Sequence, residues 1–133
     1  MAELSKIWVV DDDKEDQLML AEYFSEIGMA ERVTYFDNGR KALAQLEILD
    51  SETLPKLIVL DLNMPILNGT QALLEIKRDA RLKEIPVIIF STSANHDEKR
   101  KCLSFGAQDY VVKPMGFEEG QKIAMKFAAF LDN

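Results

Sequence analysis

The feature that most constrains this chain is a rhythm. Short apolar runs are each closed by polar residues, and each is followed by a segment with apolar residues at helical spacing. Ile7-Trp8-Val9-Val10 stops at three consecutive acids, Asp11, Asp12 and Asp13. A short, continuous apolar run of this kind reads as a strand buried on both faces. Leu18, Leu20, Ala21, Phe24 and Ile27 then mark one face of a helix, with Gly28 placed as its C-terminal cap. Arg32 to Phe36 predicts a second strand, and Ala42, Leu43, Leu46 and Leu49 the helix after it. Leu57-Ile58-Val59-Leu60 is a third strand that ends at Asp61, with a breaker-rich loop from Asn63 to Gly69 beyond it. Ala72, Leu73 and Ile76 mark a helix, and Pro86 opens the strand Val87-Ile88-Ile89-Phe90. Asp97 to Phe105 predicts a helix and Asp109 to Val112 a fifth strand. A last helix runs from about Phe117 to Leu131, with Gly120 a weak spot near its start.

Strand-then-helix alternation with fully apolar strands predicts an α/β fold with a parallel sheet covered on both faces. Right-handed crossovers make a doubly wound sheet the natural solution. The chain has 133 residues, and its 47% apolar and 29% charged content is that of one ordinary globular core. The expectation is a single domain over residues 1–133 with no output domain. Sixteen basic against 23 acidic residues give a net charge of −7, a poor basis for direct nucleic-acid binding. No basic amphipathic segment favours a membrane surface, and no apolar run is long enough for a spanning helix. A single cysteine, Cys102, and an N-terminus without a signal-peptide pattern point to a reducing, cytoplasmic setting.

Ligands of doubly wound sheets bind at the carboxyl ends of the strands. Strand one ends there at Asp11, Asp12 and Asp13, strand three at Asp61, strand four at Ser91, Thr92 and Ser93, and strand five at Lys113. Carboxylates gathered in one crevice repel one another unless protons, a cationic side chain or a metal ion offset them. An all-oxygen set without His or Cys suits a hard cation, and Mg2+ is the best match. A carboxylate can also act as a nucleophile and carry an acyl phosphate, a transfer that depends on positioning and charge neutralisation. Asp13 and Asp16 are more simply read as helix-cap or solvated-turn acids. His96 reads as a surface residue at a helix start, and Cys102 as a small apolar packing residue.

Taken together, Val9-Val10-Asp11-Asp12, Val59-Leu60-Asp61-Leu62-Asn63-Met64-Pro65 with Gly69, Phe90-Ser91, Gly106-Ala107 and Tyr110-Val111-Val112-Lys113-Pro114 resemble the receiver domain of bacterial two-component response regulators. Leu73-Leu74-Glu75-Ile76-Lys77, Leu82 to Val87 and Ser91-Thr92-Ser93 are similar to the stand-alone regulators paired with bacterial phytochromes. The resemblance implies a flavodoxin-like sheet of order 2-1-3-4-5 flanked by five helices. It implies that Asp61 is the phosphoacceptor, and that Asp11 and Asp12 hold Mg2+, with Asp12 the favoured direct ligand. Asp61 and the backbone carbonyl of Asn63 complete that metal set. Ser91 is implied as the switch hydroxyl, Tyr110 as the aromatic residue that turns inward with it, and Lys113 as the partner of phosphorylated Asp61. A cis Lys113-Pro114 bond is also implied.

The function expected from this resemblance is a signalling switch rather than an enzyme with an external substrate. The chain would catalyse only its own phosphorylation and dephosphorylation. Its phosphodonor would be a sensor histidine kinase or a histidine phosphotransfer protein, and its output a contact with another protein, with monomer and homodimer both open. A receiver-like adaptor that is never phosphorylated is the alternative. A Mg2+-dependent aspartyl-phosphate phosphatase ranks lower, because Asn63 stands where those enzymes place a second acid. A flavin carrier ranks lower still, because Asp11 to Glu15 would repel a phosphate.

Overall fold

The computed structural model describes residues 6–64 and 66–132. Its core is a sheet of five parallel strands in the order β2-β1-β3-β4-β5, as expected. The strands are β1 (Ile7–Val10), β2 (Val33–Phe36), β3 (Leu57–Leu60), β4 (Val87–Ser91) and β5 (Asp109–Val112). The helices are α1 (Lys14–Glu26), α2 (Gly39–Ile48), α3 (Gly69–Arg78), α4 (His96–Ser104) and α5 (Phe117–Ala128). Among the described residues no helix is long and apolar enough to cross a membrane.

The apolar runs become strands because both of their faces are covered. β1, β3 and β4 are buried at every position. Alternate residues feed two cores. Trp8, Val10, Ile58, Leu60 and Ile89 pack with Leu46, Leu73 and Ile76 on the α2–α3 side. Ile7, Val9, Leu57, Val59 and Ile88 pack with Phe24 and Phe127 on the α1–α5 side. Phe127 meets Phe24 and Phe90 at ring-centroid distances of 6.4 and 5.6 Å, so it belongs to the core. Phe130 and Leu131 pack partly against the same cluster from a short 3-10 turn, Ala129–Asp132, that ends α5. Cys102 is buried in the first core, as its small apolar character predicted.

The helix starts carry their own signals. Asp13 caps α1 by accepting from the backbone N–H of Glu15 and Asp16 at 2.9 and 3.2 Å. Asn68 and Gln71 form a reciprocal capping box on α3. Asn95 caps α4, which begins at His96. Gln17, on the first turns of α1, donates to the carbonyls of Asp11 and Phe36 at 2.6 and 3.3 Å. That pair of bonds fixes α1 against the ends of β1 and β2. Gly28, just past α1, has φ +76°, the left-handed conformation of a helix-ending glycine.

Two expectations change. The Lys113-Pro114 bond is trans, since the described residues contain no cis peptide bond; trans is the default of an X–Pro bond. Pro65, part of the loop motif, lies outside the described residues. Gly120 is a packing site rather than a mere weak spot. A Cβ there would lie 2.3 Å from Cζ of the Tyr23 ring, so the absence of a side chain lets α5 lie against α1. Gly120→Ala should therefore cost up to about 3 kcal/mol through overpacking, set against roughly 1 kcal/mol gained in helix propensity, a net destabilisation of up to about 2 kcal/mol. Urea unfolding monitored by circular dichroism checks this; a variant more stable than wild type contradicts it.

Candidate functional site

The strand ends converge as the topology requires. Asp11, at the end of β1, is buried, with 2% of its surface exposed, and Asp61, at the end of β3, has 7% exposed. Ser91, the last residue of β4, is fully buried. Asp12 is exposed beside them. Together Asp11, Asp12 and Asp61 can each present one carboxylate oxygen within 4.8 Å of the other two. That span is close to the roughly 4 Å width of an octahedral oxygen shell around a small hard cation. The cluster opens into a cleft of about 540 Å³ that is also lined by Asn63, Thr92 and Lys113. The donor set fits a divalent cation held by carboxylates and water.

The two oxygens of Asp11 are already engaged. Oδ1 accepts from the backbone N–H of Asp13 at 2.9 Å, and Oδ2 accepts from Lys113 Nζ at 2.9 Å. The exposed Asp12 carboxylate is therefore the better placed of the pair for direct ligation.

The backbone around Asp61 is held closely. Its N–H donates to the carbonyl of Val10 at 2.9 Å. A Cβ on Gly69 would lie 2.3 Å from the Asp61 carbonyl oxygen, so the turn leading back into α3 can pass over β3 only with glycine there. Gly69 also donates its N–H to the Leu62 carbonyl at 3.0 Å. Ile66, in the same loop, has φ +70°, a left-handed conformation that β-branched residues rarely adopt. Strain of this kind concentrates at functional loops.

Lys113 is the cation of the site. Its Nζ lies 2.9 Å from Asp11 Oδ2, 2.7 Å from Asp16 Oδ2 and 3.6 Å from Asp61 Oδ1, with 10% of its side chain exposed. It also sits 5.8 Å from the centroid of the Phe90 ring. Burial opposes the Lys113 charge, but hydrogen bonds to Asp16 and Asp11 more than offset that, and its pKa is raised. Asp61 is pushed up to about 6, first by burial and then by the neighbouring Asp11 charge, against the pull of Lys113. Burial likewise raises Asp11 despite its bond to Lys113.

Contrary to the expectation of a helix-cap or solvated acid, Asp16 is ion-paired with Lys113. Asp13 does the capping, while Asp16 turns inward from the same helical turn to Lys113. The available signal was positional. The first turn of a helix that starts directly at a strand end faces the site, so an acid there can reach whatever cation stands opposite.

Ser91 and Tyr110 lie on neighbouring strands. The Ser91 hydroxyl oxygen accepts from the backbone N–H of Ser93 at 3.1 Å, and its carbonyl accepts from the N–H of Lys113 at 2.7 Å. Tyr110 is turned inward, 6% exposed, with its hydroxyl 2.9 Å from the Ser93 carbonyl and 3.1 Å from Glu98 Oε1. The aromatic ring is thus a core residue. Glu98, its partner on α4, was not singled out in the sequence because an exposed helical acid carries no distinctive pattern.

Comparison with known proteins identifies the family. The family model of the response regulator receiver domain matches residues 7–124. The probable methanogenesis regulatory protein FilR2 of Methanothrix harundinacea is 31% identical over 115 residues, covering 85% of this chain and 74% of that protein. Among solved structures, the phosphorylated cyanobacterial phytochrome response regulator RcpA is 30% identical with a TM-score of 0.84, covering 98% of this chain and 96% of that one. The Mn(2+)-bound form of response regulator Rcp1 is 28% identical with a TM-score of 0.78, covering 95% of this chain and 93% of that one. With the family model matched over residues 7–124 and the five-stranded parallel sheet in the order β2-β1-β3-β4-β5, this chain belongs to the response regulator receiver domain family.

Proposed function

We propose that this chain is a phosphorylation-activated switch whose phosphoacceptor is Asp61. The observation that carries the reading is one buried carboxylate, Asp61, that can share a divalent cation with the acidic pair Asp11 and Asp12 and lies 3.6 Å from the ammonium of Lys113. The all-oxygen set favours Mg2+, held by Asp12, Asp61 and the Asn63 carbonyl, with Asp11 supporting through its charge. A bound Mg2+ would supply positive charge to the phosphoryl oxygens and lower the repulsion among the acids.

The phosphodonor suited to such a site is a phosphohistidine of a sensor histidine kinase or of a histidine phosphotransfer protein. An Asp61 carboxylate oxygen attacks the phosphorus in line, the P–N bond breaks as the O–P bond forms, and the imidazole leaves. Lys113 neutralises one phosphoryl oxygen as charge spreads over the transferring group. Attack by water on phosphorus later returns the carboxylate and inorganic phosphate. Ser91 would follow the phosphoryl group with its hydroxyl, and Tyr110, packed beside it, would carry the change to the surface of α4 and β5 as a shift between two arrangements. The likeness to RcpA, a phytochrome response regulator by name, supports a light-sensing kinase as the upstream partner.

Two measurements test this. Intact mass spectrometry after incubation with acetyl phosphate should show the gain of one phosphoryl group that requires Mg2+ and is lost in Asp61→Asn. No gain in folded protein would favour an adaptor that is never phosphorylated. The second concerns pH. The folded-state pKa of Asp61, about 6, lies above its ordinary 3.8. The stability it contributes is therefore present below that ordinary value and lost as pH rises through 6. Without a divalent cation, Asp61→Asn should be more stable than wild type at neutral pH by up to about 3 kcal/mol. The difference should shrink as pH falls from 6 toward 4, the window that the shift defines. Thermal melts across that range check it, and an Asp61→Asn variant of unchanged or lower stability at neutral pH contradicts it.

A further inference from the structure

We infer that Asp16 is a positioning residue, the anchor that holds the Lys113 ammonium in place while the other groups of the site change partners. This rests on the reading of Asp61 as the phosphoacceptor. Lys113 Nζ meets three carboxylates: Asp16 at 2.7 Å, Asp11 at 2.9 Å and Asp61 at 3.6 Å. Two of the three are committed elsewhere. Asp11 and Asp61 belong to the cluster able to hold a divalent cation, and Asp61 becomes an acyl phosphate. Asp16 lies outside that cluster, and its contact is the shortest of the three. It is thus the one partner of Lys113 that stands outside the acidic cluster.

The need for an anchor follows from the lysine itself. An ammonium on a flexible four-carbon stem gives up about 2 kcal/mol of rotamer entropy when it is fixed. A cation held by Asp12 and Asp61 would stand beside Asp11, compete for its charge and repel the ammonium. With two of its N–H groups held by Asp16 and Asp11, Lys113 keeps a third for the side where Asp61 stands, at a distance that leaves space before a direct bond. Asp16 is itself fixed, because α1 is tied to the strand ends by the Gln17 side chain and starts on the Asp13 cap. Asp16 thus fixes the ammonium at the site's edge before any phosphoryl group arrives.

The inference has a distinctive sign. Deleting an acid next to an anion site should tighten anion binding through charge alone. Deleting an anchor should weaken it. The first readout is the affinity of the Mg2+-saturated protein for beryllofluoride, a phosphoryl mimic, followed by 19F NMR. Asp16→Ala should bind it roughly fivefold more weakly, the upper range for one partly exposed ion pair, and Asp16→Glu should recover most of the loss. Glu15→Gln removes an acid from the same turn without touching Lys113, and should leave the affinity unchanged or slightly tighter. The second readout needs neither metal nor phosphoryl group. In the metal-free protein, the Lys113 ammonium should give a slowly exchanging 1H–15N signal that is lost in Asp16→Ala and kept in Glu15→Gln. Unchanged or tighter beryllofluoride binding in Asp16→Ala, or an ammonium signal that survives the substitution, overturns the anchor. A wild type that binds no beryllofluoride would sink the phosphoacceptor reading, while the ammonium signal would still decide whether Asp16 holds Lys113.

Discussion

The rest of the structure depends on a balance of charge at one sheet edge, where buried carboxylates stand close together against a single lysine. Asp11 and Asp61 lie almost out of solvent, and Asp12 completes a cluster whose oxygens fall within 4.8 Å of one another. Left alone, such a group lowers its charge by taking up protons, which is what the raised pKa of Asp61 expresses. The burial that makes the site costly for a charge also makes it receptive to a cation and to a group that delivers neutralisation along with its own oxygens. Lys113 offsets part of the repulsion.

The scaffold turns this balance into a defined geometry. The β1–β3 register places Val10 opposite Leu60, so the acids after each strand emerge side by side. Glycine at position 69 lets the chain cross directly over the Asp61 carbonyl. On the other flank, the buried Ser91 shares a main-chain bond with Lys113, and Tyr110 reaches from β5 to the Ser93 carbonyl and to Glu98 on α4. A change at the Asp61 carboxylate is therefore only a few packed groups away from the α4–β5 surface. Close packing favours discrete alternative arrangements over gradual deformation.

Much of this could be read from the chain before any coordinates. Runs such as Leu57 to Leu60 and Val87 to Phe90 are short and apolar at every position, as a strand covered on both faces is, and Asp61 and Lys113 followed from where the runs stop. What sequence misjudged was which way a polar side chain turns. Asp13 and Asp16 share one helical turn, yet one caps the helix and the other crosses to Lys113. Gly120 looked like a helix defect because propensity is local, while the Tyr23 ring that needs the space comes from a distant helix. Tyr110 and Glu98 are joined only through the packing of β5 on α4. Periodicity fixes faces and strand ends, and tertiary contacts then decide individual partners.

The measurement that goes most directly to the central claim is chemical trapping of the acyl phosphate. Protein treated with a small-molecule phosphodonor and Mg2+ is reduced with borohydride, which converts an aspartyl phosphate to homoserine, and is then mapped by peptide mass spectrometry. The account predicts homoserine at position 61 and at no other acid of the cleft. Homoserine at Asp11, Asp12 or Asp16, or at no position in protein that remains folded, would contradict it.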